Sequence, residues 1–209
     1  VPVFSYTLDI IMREDETQMQ EQYTIRRKFF KVFGAAFHVY DEHGSIIGYC
    51  KQKAFKLRED IRLYTGEDMN EMLLTLKTEK IIDFGATYTV TLPDGTSLGS
   101  LRRKGMKSSF VRDEWLVFNP DGQEVAKVRE TGSFAPFARR YIDYANIFFP
   151  QRYEIIRASD SKVLSQLRQH FNPVVFRMGV AVVEQDEEID DLLILGASCL
   201  IAAIEGRQD

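Results

Sequence analysis

The stretch that decides the fold is Leu192 to Ile204, LLILGASCLIAAI, thirteen residues without a charge near the end of the chain. As a helix it is about 20 Å long, whereas a bilayer-spanning helix needs roughly 20 apolar residues. Its apolar residues fall on every side of the cylinder rather than on one stripe, so no face of it suits water. Gly196, Ala197, Ser198, Ala202 and Ala203 keep the cylinder thin. These features predict a rod sheathed by the rest of the chain. Upstream lies EQDEEIDD, Glu184 to Asp191, where Asp190 or Asp191 can cap the first turn. The other carboxylates there face the positive end of the helix dipole. Downstream, Gly206 suits a C-terminal cap.

A thin apolar rod fits inside a closed sheet, and the preceding residues are patterned as one. Five segments share a layout of strand, polar turn and strand, with turns ending at Gly44, Asn70, Gly95, Gly122 and Ser161. Three carry plain turn chemistry, DEHG, PDG and NPDG. Three positions after each marker come Ile47, Leu73, Leu98, Val125 and Leu164; four after come Gly48, Leu74, Gly99, Ala126 and Ser165. Six after come Cys50, Leu76, Leu101, Val128 and Leu167, and seven after come Lys51, Lys77, Arg102, Arg129 and Arg168. Strand side chains alternate, so positions four and six share a face, predicted to point inward. The small residues at position four leave room for the rod, and position seven is always cationic.

The five hairpins supply ten strands, and Tyr23–Phe30 (YTIRRKFF) and Phe176–Val183 (FRMGVAVV) two more. The reading is therefore mainly β: a closed antiparallel barrel of about twelve strands around a central C-terminal hydrophobic helix. Closure also removes the exposed sheet edges that invite aggregation. The irregular section Thr131 to Pro150 reads as a hairpin variant plus a loop. Val1 to Ile11 alternates like a strand, and Arg13 to Gln22 reads as a polar connector. The whole chain, 1–209, reads as one domain, with an extension at 1–22, barrel strands over 23–183 and the helix over 190–205.

Hydrophobic residues at 44% suffice for such a core, and a formal net charge of -4 gives no global attraction to nucleic acid. Cys50 and Cys199 are too few for a disulfide framework and sit in apolar settings, which predicts buried, reduced thiols and a cytoplasmic setting. No stretch reads as a signal peptide or membrane span.

The segment Tyr23 to Asp60 resembles the opening of LURP-one-related proteins. The cue is a basic-x-Lys-x-Phe/Leu piece before a short turn, here RRKFF at Arg26 to Phe30 and KQKAF at Lys51 to Phe55. The terminal apolar helix after an acidic loop also matches, and the resemblance covers about residues 23 to 206. It implies the fold shared by the tubby C-terminal domain and the phospholipid scramblases. It further implies a role in binding phosphoinositide or other anionic phospholipid, or in moving lipid. The cysteine-rich cluster and proline-rich region expected of scramblases are not in the sequence.

Reactive constellations are scarce. His38, His43 and His170 have no Cys or His partner at metal-ligand spacing, and no nucleophile elbow, P-loop or dinucleotide fingerprint occurs. The expectation is a protein that is not an enzyme and takes no cofactor or metal. The acidic loop Glu184 to Asp191 lacks EF-hand spacing, so helix-end charge is favoured over calcium binding. The densest cationic stretch is Arg102, Arg103, Lys104 and Lys107, which Arg112, Arg139 and Arg140 can join in space. Near an anionic bilayer each such charge gains about 1 kcal/mol, so these four are the candidate lipid-headgroup residues. The functional expectation is a barrel, peripheral at a membrane, that binds anionic phospholipid. A protein-interaction or scaffold role is the alternative, and a scramblase ranks third.

Overall fold

A computed structural model describes residues 20–30, 34–52, 61–82, 85–104, 114–131, 151–170 and 175–205. The strands are β1 (Tyr23–Phe30), β2 (Gly34–Asp41), β3 (Ile46–Gln52), β4 (Ile61–Tyr64), β5 (Met72–Ile82), β6 (Gly85–Thr91), β7 (Ser97–Arg103), β8 (Glu114–Phe118), β9 (Glu124–Glu130), β10 (Arg152–Arg157), β11 (Val163–His170) and β12 (Phe176–Val182); the helix α1 spans Asp191–Glu205. Each strand pairs antiparallel with its sequence neighbours, and β1 closes the ring against β12. The expected closed barrel of twelve strands with one C-terminal helix is what the chain forms. The expectations for Val1 to Ile11, for most of Thr131 to Pro150, for Gly206 and for Lys107 lie outside the described residues.

The repeat columns become structure in a specific way. The fourth and sixth positions after each turn marker are all buried, as alternation requires. Every hairpin also shifts register at the same place, between Val39 and Tyr40, Leu63 and Tyr64, Val90 and Thr91, Val117 and Phe118, and Ile155 and Ile156. The extra residue on the returning strand is always the third column: Ile47, Leu73, Leu98, Val125 or Leu164. Such a bulge sets two residues against one and bends the strand. That explains why two consecutive columns are core-like: Val125 and Leu164 are buried, and Ile47, Leu73 and Leu98 pack half-buried against the core. Five bulges at one level curve the sheet into closure.

Four of the five markers hold left-handed backbone: Gly44, Gly95, Gly122 and Ser161 have φ of 82, 90, 80 and 62°. The second hairpin corrects the reading. Met69, not Asn70, carries the positive φ of 55°, because this turn is longer and closes with Thr65 N–H donating to the Glu71 carbonyl at 2.9 Å. The small column also has two reasons rather than one. At Gly99, with φ of 137°, a Cβ would overlap the Phe118 carbonyl and come 3.1 Å from Leu193 of the helix. At Gly48 a Cβ would meet the wall residues Val39 and Leu63, not the helix.

Residues 193–203 of α1 are all buried, enclosed by inward residues such as Leu74, Leu76, Val90 and Leu101. Asp190 is the cap: its Oδ1 accepts from the Leu192 N–H at 2.7 Å. The helix enters at the barrel end that carries the five tight turns and runs toward the other end. Cys50 and Cys199 are buried free thiols. Among the described residues no helix is long and apolar enough to cross a membrane.

Candidate functional site

Charge is sorted along the barrel axis. Every one of the five tight turns or its edge carries a carboxylate, among them Glu42, Glu67, Asp94, Asp121 and Asp160, and the acidic approach to α1 lies at the same end. The cationic column lies seven residues beyond each marker, about 20 Å along the strand at 3.3 Å per residue. Lys77, Arg102 and Arg129 of that column are exposed and Arg168 is half-exposed. The column occupies every second strand, so it forms an outer belt. Twenty ångströms is about two Debye lengths at physiological salt, so a surface near the belt is screened from the acidic end.

Of the four candidate headgroup residues, the three that are described, Arg102, Arg103 and Lys104, do not share one face. Arg102 points outward with its guanidinium 4.6 Å from the Phe118 ring centroid. Arg103 takes the opposite face, half-buried, 5.9 Å from the Trp115 ring. Lys104 donates to Glu114 at 2.7 Å, and this hydrogen bond raises its pKa. Lys107 lies outside the described residues. Strand alternation separates neighbours that a run of basic letters makes look contiguous.

The acidic loop has a structural partner. Arg157 of β10 donates to Glu184 at 2.9 Å, to Asp160 at 3.0 Å and also to Asp186, and these bonds hold its pKa above the ordinary arginine value. The loop leading into α1 is thereby fastened to the β10–β11 turn. A cleft of about 500 Å³ runs beside residues 185–191. Among the described residues no three His, Cys, Asp or Glu side chains are grouped to hold a metal ion.

Two histidine sites escaped the sequence reading. His38 is outward but buried, stacked on Tyr40 and tilted against Tyr49, and its Nε2 lies 2.5 Å from Glu67 Oε1. Burial, with Glu67 next, raises the Tyr49 pKa. Three strands round the ring, in the same cross-strand row, His170 Nε2 lies 2.5 Å from Glu21 Oε1. Around it the register places Arg152 opposite Arg168, Arg168 opposite Gly179, His170 opposite Arg177, and Arg177 opposite Arg26. The register thus gathers Arg152, Arg168, His170, Arg177 and Arg26 on neighbouring strands. They come from β1, β10, β11 and β12, so only the closed ring brings them together.

The LURP-one-related family model matches residues 48–201, about three quarters of the chain and most of the barrel together with most of α1. The chain belongs to the LURP-one-related family. An X-ray structure of an Arabidopsis thaliana protein is similar over 90% of this chain and 95% of that one, at 13% identity and a TM-score of 0.48. No curated protein matches the chain. In this LURP-one-related chain the family match spans four of the five repeat turns, all five cationic column positions and most of the helix, and leaves β1 and β2 upstream of it.

Proposed function

We propose that the protein is a non-enzymatic barrel that binds anionic phospholipid headgroups at a membrane surface. The observation that carries this reading is the axial sorting of charge: carboxylates gather at the tight-turn end and cations form the belt. Glu114 and Glu154 lie opposite Arg129 at belt level, so in this chain of net charge -4 the cationic part of the belt lies at Lys77, Arg102 and Arg168. A planar membrane touches two or three belt cations on one side of the barrel. At about 1 kcal/mol each, that is a weak, reversible and salt-sensitive attachment. Arg102 contributes directly, while Lys104, already paired with Glu114, contributes less.

The test is co-sedimentation with phosphatidylcholine vesicles with and without phosphatidylserine, at low and high salt. The reading predicts binding that needs the anionic lipid, falls with salt, and weakens in the Lys77→Glu/Arg102→Glu double variant. Equal, negligible binding to both vesicle types removes it.

A further inference from the structure

The cation cluster on β10–β12 and β1 has a hole in it, and the chain fills that hole with its own carboxylate. Gly179 faces outward between Arg168 and Thr24. A Cβ there would overlap the carboxyl group of Glu21. The Glu21 side chain thus occupies the space that every other residue type would fill. Directly opposite side chains on a sheet lie about 5 Å apart, and same-face neighbours along a strand about 7 Å apart. Arg168, His170 and Arg177 therefore flank a notch about one small anion wide, while Arg26, next along that row, lays its guanidinium over the Tyr40 ring on β2 at 4.6 Å.

The tenant leaves one buried donor of the cluster unpaired. Glu21 is bonded to His170, while Arg177 Nε is buried and has no hydrogen-bond partner among the described residues. One carboxylate brings a single charge and two oxygens. A phosphate monoester brings about two charges and three acceptor oxygens, which suits several cationic donors at once. The tenant is also on a short tether. Gln22 pairs through its side chain with the Val182 backbone, at 2.6 and 3.3 Å, and Gln20 donates to Glu42 at 3.3 Å. Side-chain bonds of this kind at the entrance to β1 can release without opening the ring.

We propose that the notch at Gly179, flanked by Arg168, His170 and Arg177, is a phosphate-monoester site held closed by Glu21. This deepens the membrane-surface reading and rests on it for the source of the phosphate, a lipid headgroup rather than a soluble ester, met when the Arg168 side of the belt, across the ring from Lys77 and Arg102, faces the bilayer. Displacement of Glu21 by the headgroup would couple membrane contact to release of residues 20–22.

The experiment titrates inorganic phosphate into the full chain and reads the His170 ring by nuclear magnetic resonance. Glu21→Ala is expected to bind about tenfold more tightly than the parent, the scale of one charge-assisted hydrogen bond removed from competition. Gly179→Val in the Glu21→Ala background refills the notch and is expected to abolish the gain. If that variant fails to fold, Arg177→Gln in the same background is expected to lose the gain as well. No gain on removing Glu21, or a gain that survives both second changes, overturns the site. A parallel arm uses phosphatidylcholine vesicles carrying phosphatidic acid, which bears a phosphomonoester, or phosphatidylserine, which does not. The expected result is that Glu21→Ala strengthens binding to the first and not the second. Phosphate gain without binding to either vesicle keeps the notch and sinks the membrane reading. Vesicle binding indifferent to Glu21, with no phosphate gain, sinks the notch and keeps the membrane reading.

Discussion

Gly99→Ala is the substitution that tests the packing of rod against wall most sharply. Gly99 has φ of 137°, a region that side chains other than glycine rarely enter. Holding a non-glycine residue in such backbone costs about 1–3 kcal/mol. The added methyl would also overlap the Phe118 carbonyl, which is fixed in the β7–β8 ladder where Ser100 pairs with Phe118. Forcing an extra methyl into packed structure costs about 1–3 kcal/mol more. Together these give roughly 2–6 kcal/mol. For a chain of this size each kcal/mol moves Tm by about 2–4 °C, so the expected fall is roughly 5–20 °C. The assay is a circular-dichroism melt of the parent, Gly99→Ala, Leu193→Ala and the double variant. Leu193 Cδ2 lies 3.1 Å from the added Cβ, but the carbonyl conflict remains when the leucine is shortened. The double variant should therefore be no more stable than Gly99→Ala. A fall under about 2 °C, or recovery on shortening Leu193, refutes the reasoning.

Gly196 sits on the helix inside the barrel, yet a Cβ there makes ordinary contact with Val90 at 3.4 Å. Gly196→Ala should be neutral or stabilise by up to about 1 kcal/mol through helix propensity, read in the same melt. Burial pushes the Cys50 thiol up from 9.0 to about 12 and raises Cys199 as well. A raised thiol pKa means that the folded state holds its proton longer than the unfolded chain. That contribution to stability is complete below pH 9 and lost between pH 9 and 12, so Tm should decline across that window, less so in Cys50→Ala relative to its own value at pH 8. Iodoacetamide at pH 8 should label neither cysteine until the chain is unfolded, which mass spectrometry checks.

The barrel was legible because its repeat is local. A turn glycine, a bulged apolar residue and two inward positions recur within a dozen residues, and each obeys alternation without help from distant chain. The errors arose where local spacing hid a longer turn or a second cause. Asn70 looked like the marker because the turn before β5 has extra residues, and Gly48 looked like clearance for the helix although it clears Val39. The candidate site was less legible. Arg102, Arg103 and Lys104 are contiguous in sequence, but alternation turns Arg103 inward and Glu114 engages Lys104. Glu21 and His170 are 149 residues apart, and only closure of β1 on β12 brings the cations around them into one neighbourhood. A sequence pattern can give the column of cations on each strand but not which columns the ring sets side by side.

The central claim is that the cationic belt, and not the acidic turn end, meets an anionic membrane. Since the native thiols are buried, a polarity-sensitive dye can be placed on an introduced cysteine, either Asp94→Cys at a tight turn or Thr87→Cys, which pairs with Arg102 on the belt. With phosphatidylserine vesicles the account predicts a spectral shift for the dye at residue 87 and none for the dye at residue 94. A shift at residue 94, or at neither position, contradicts it.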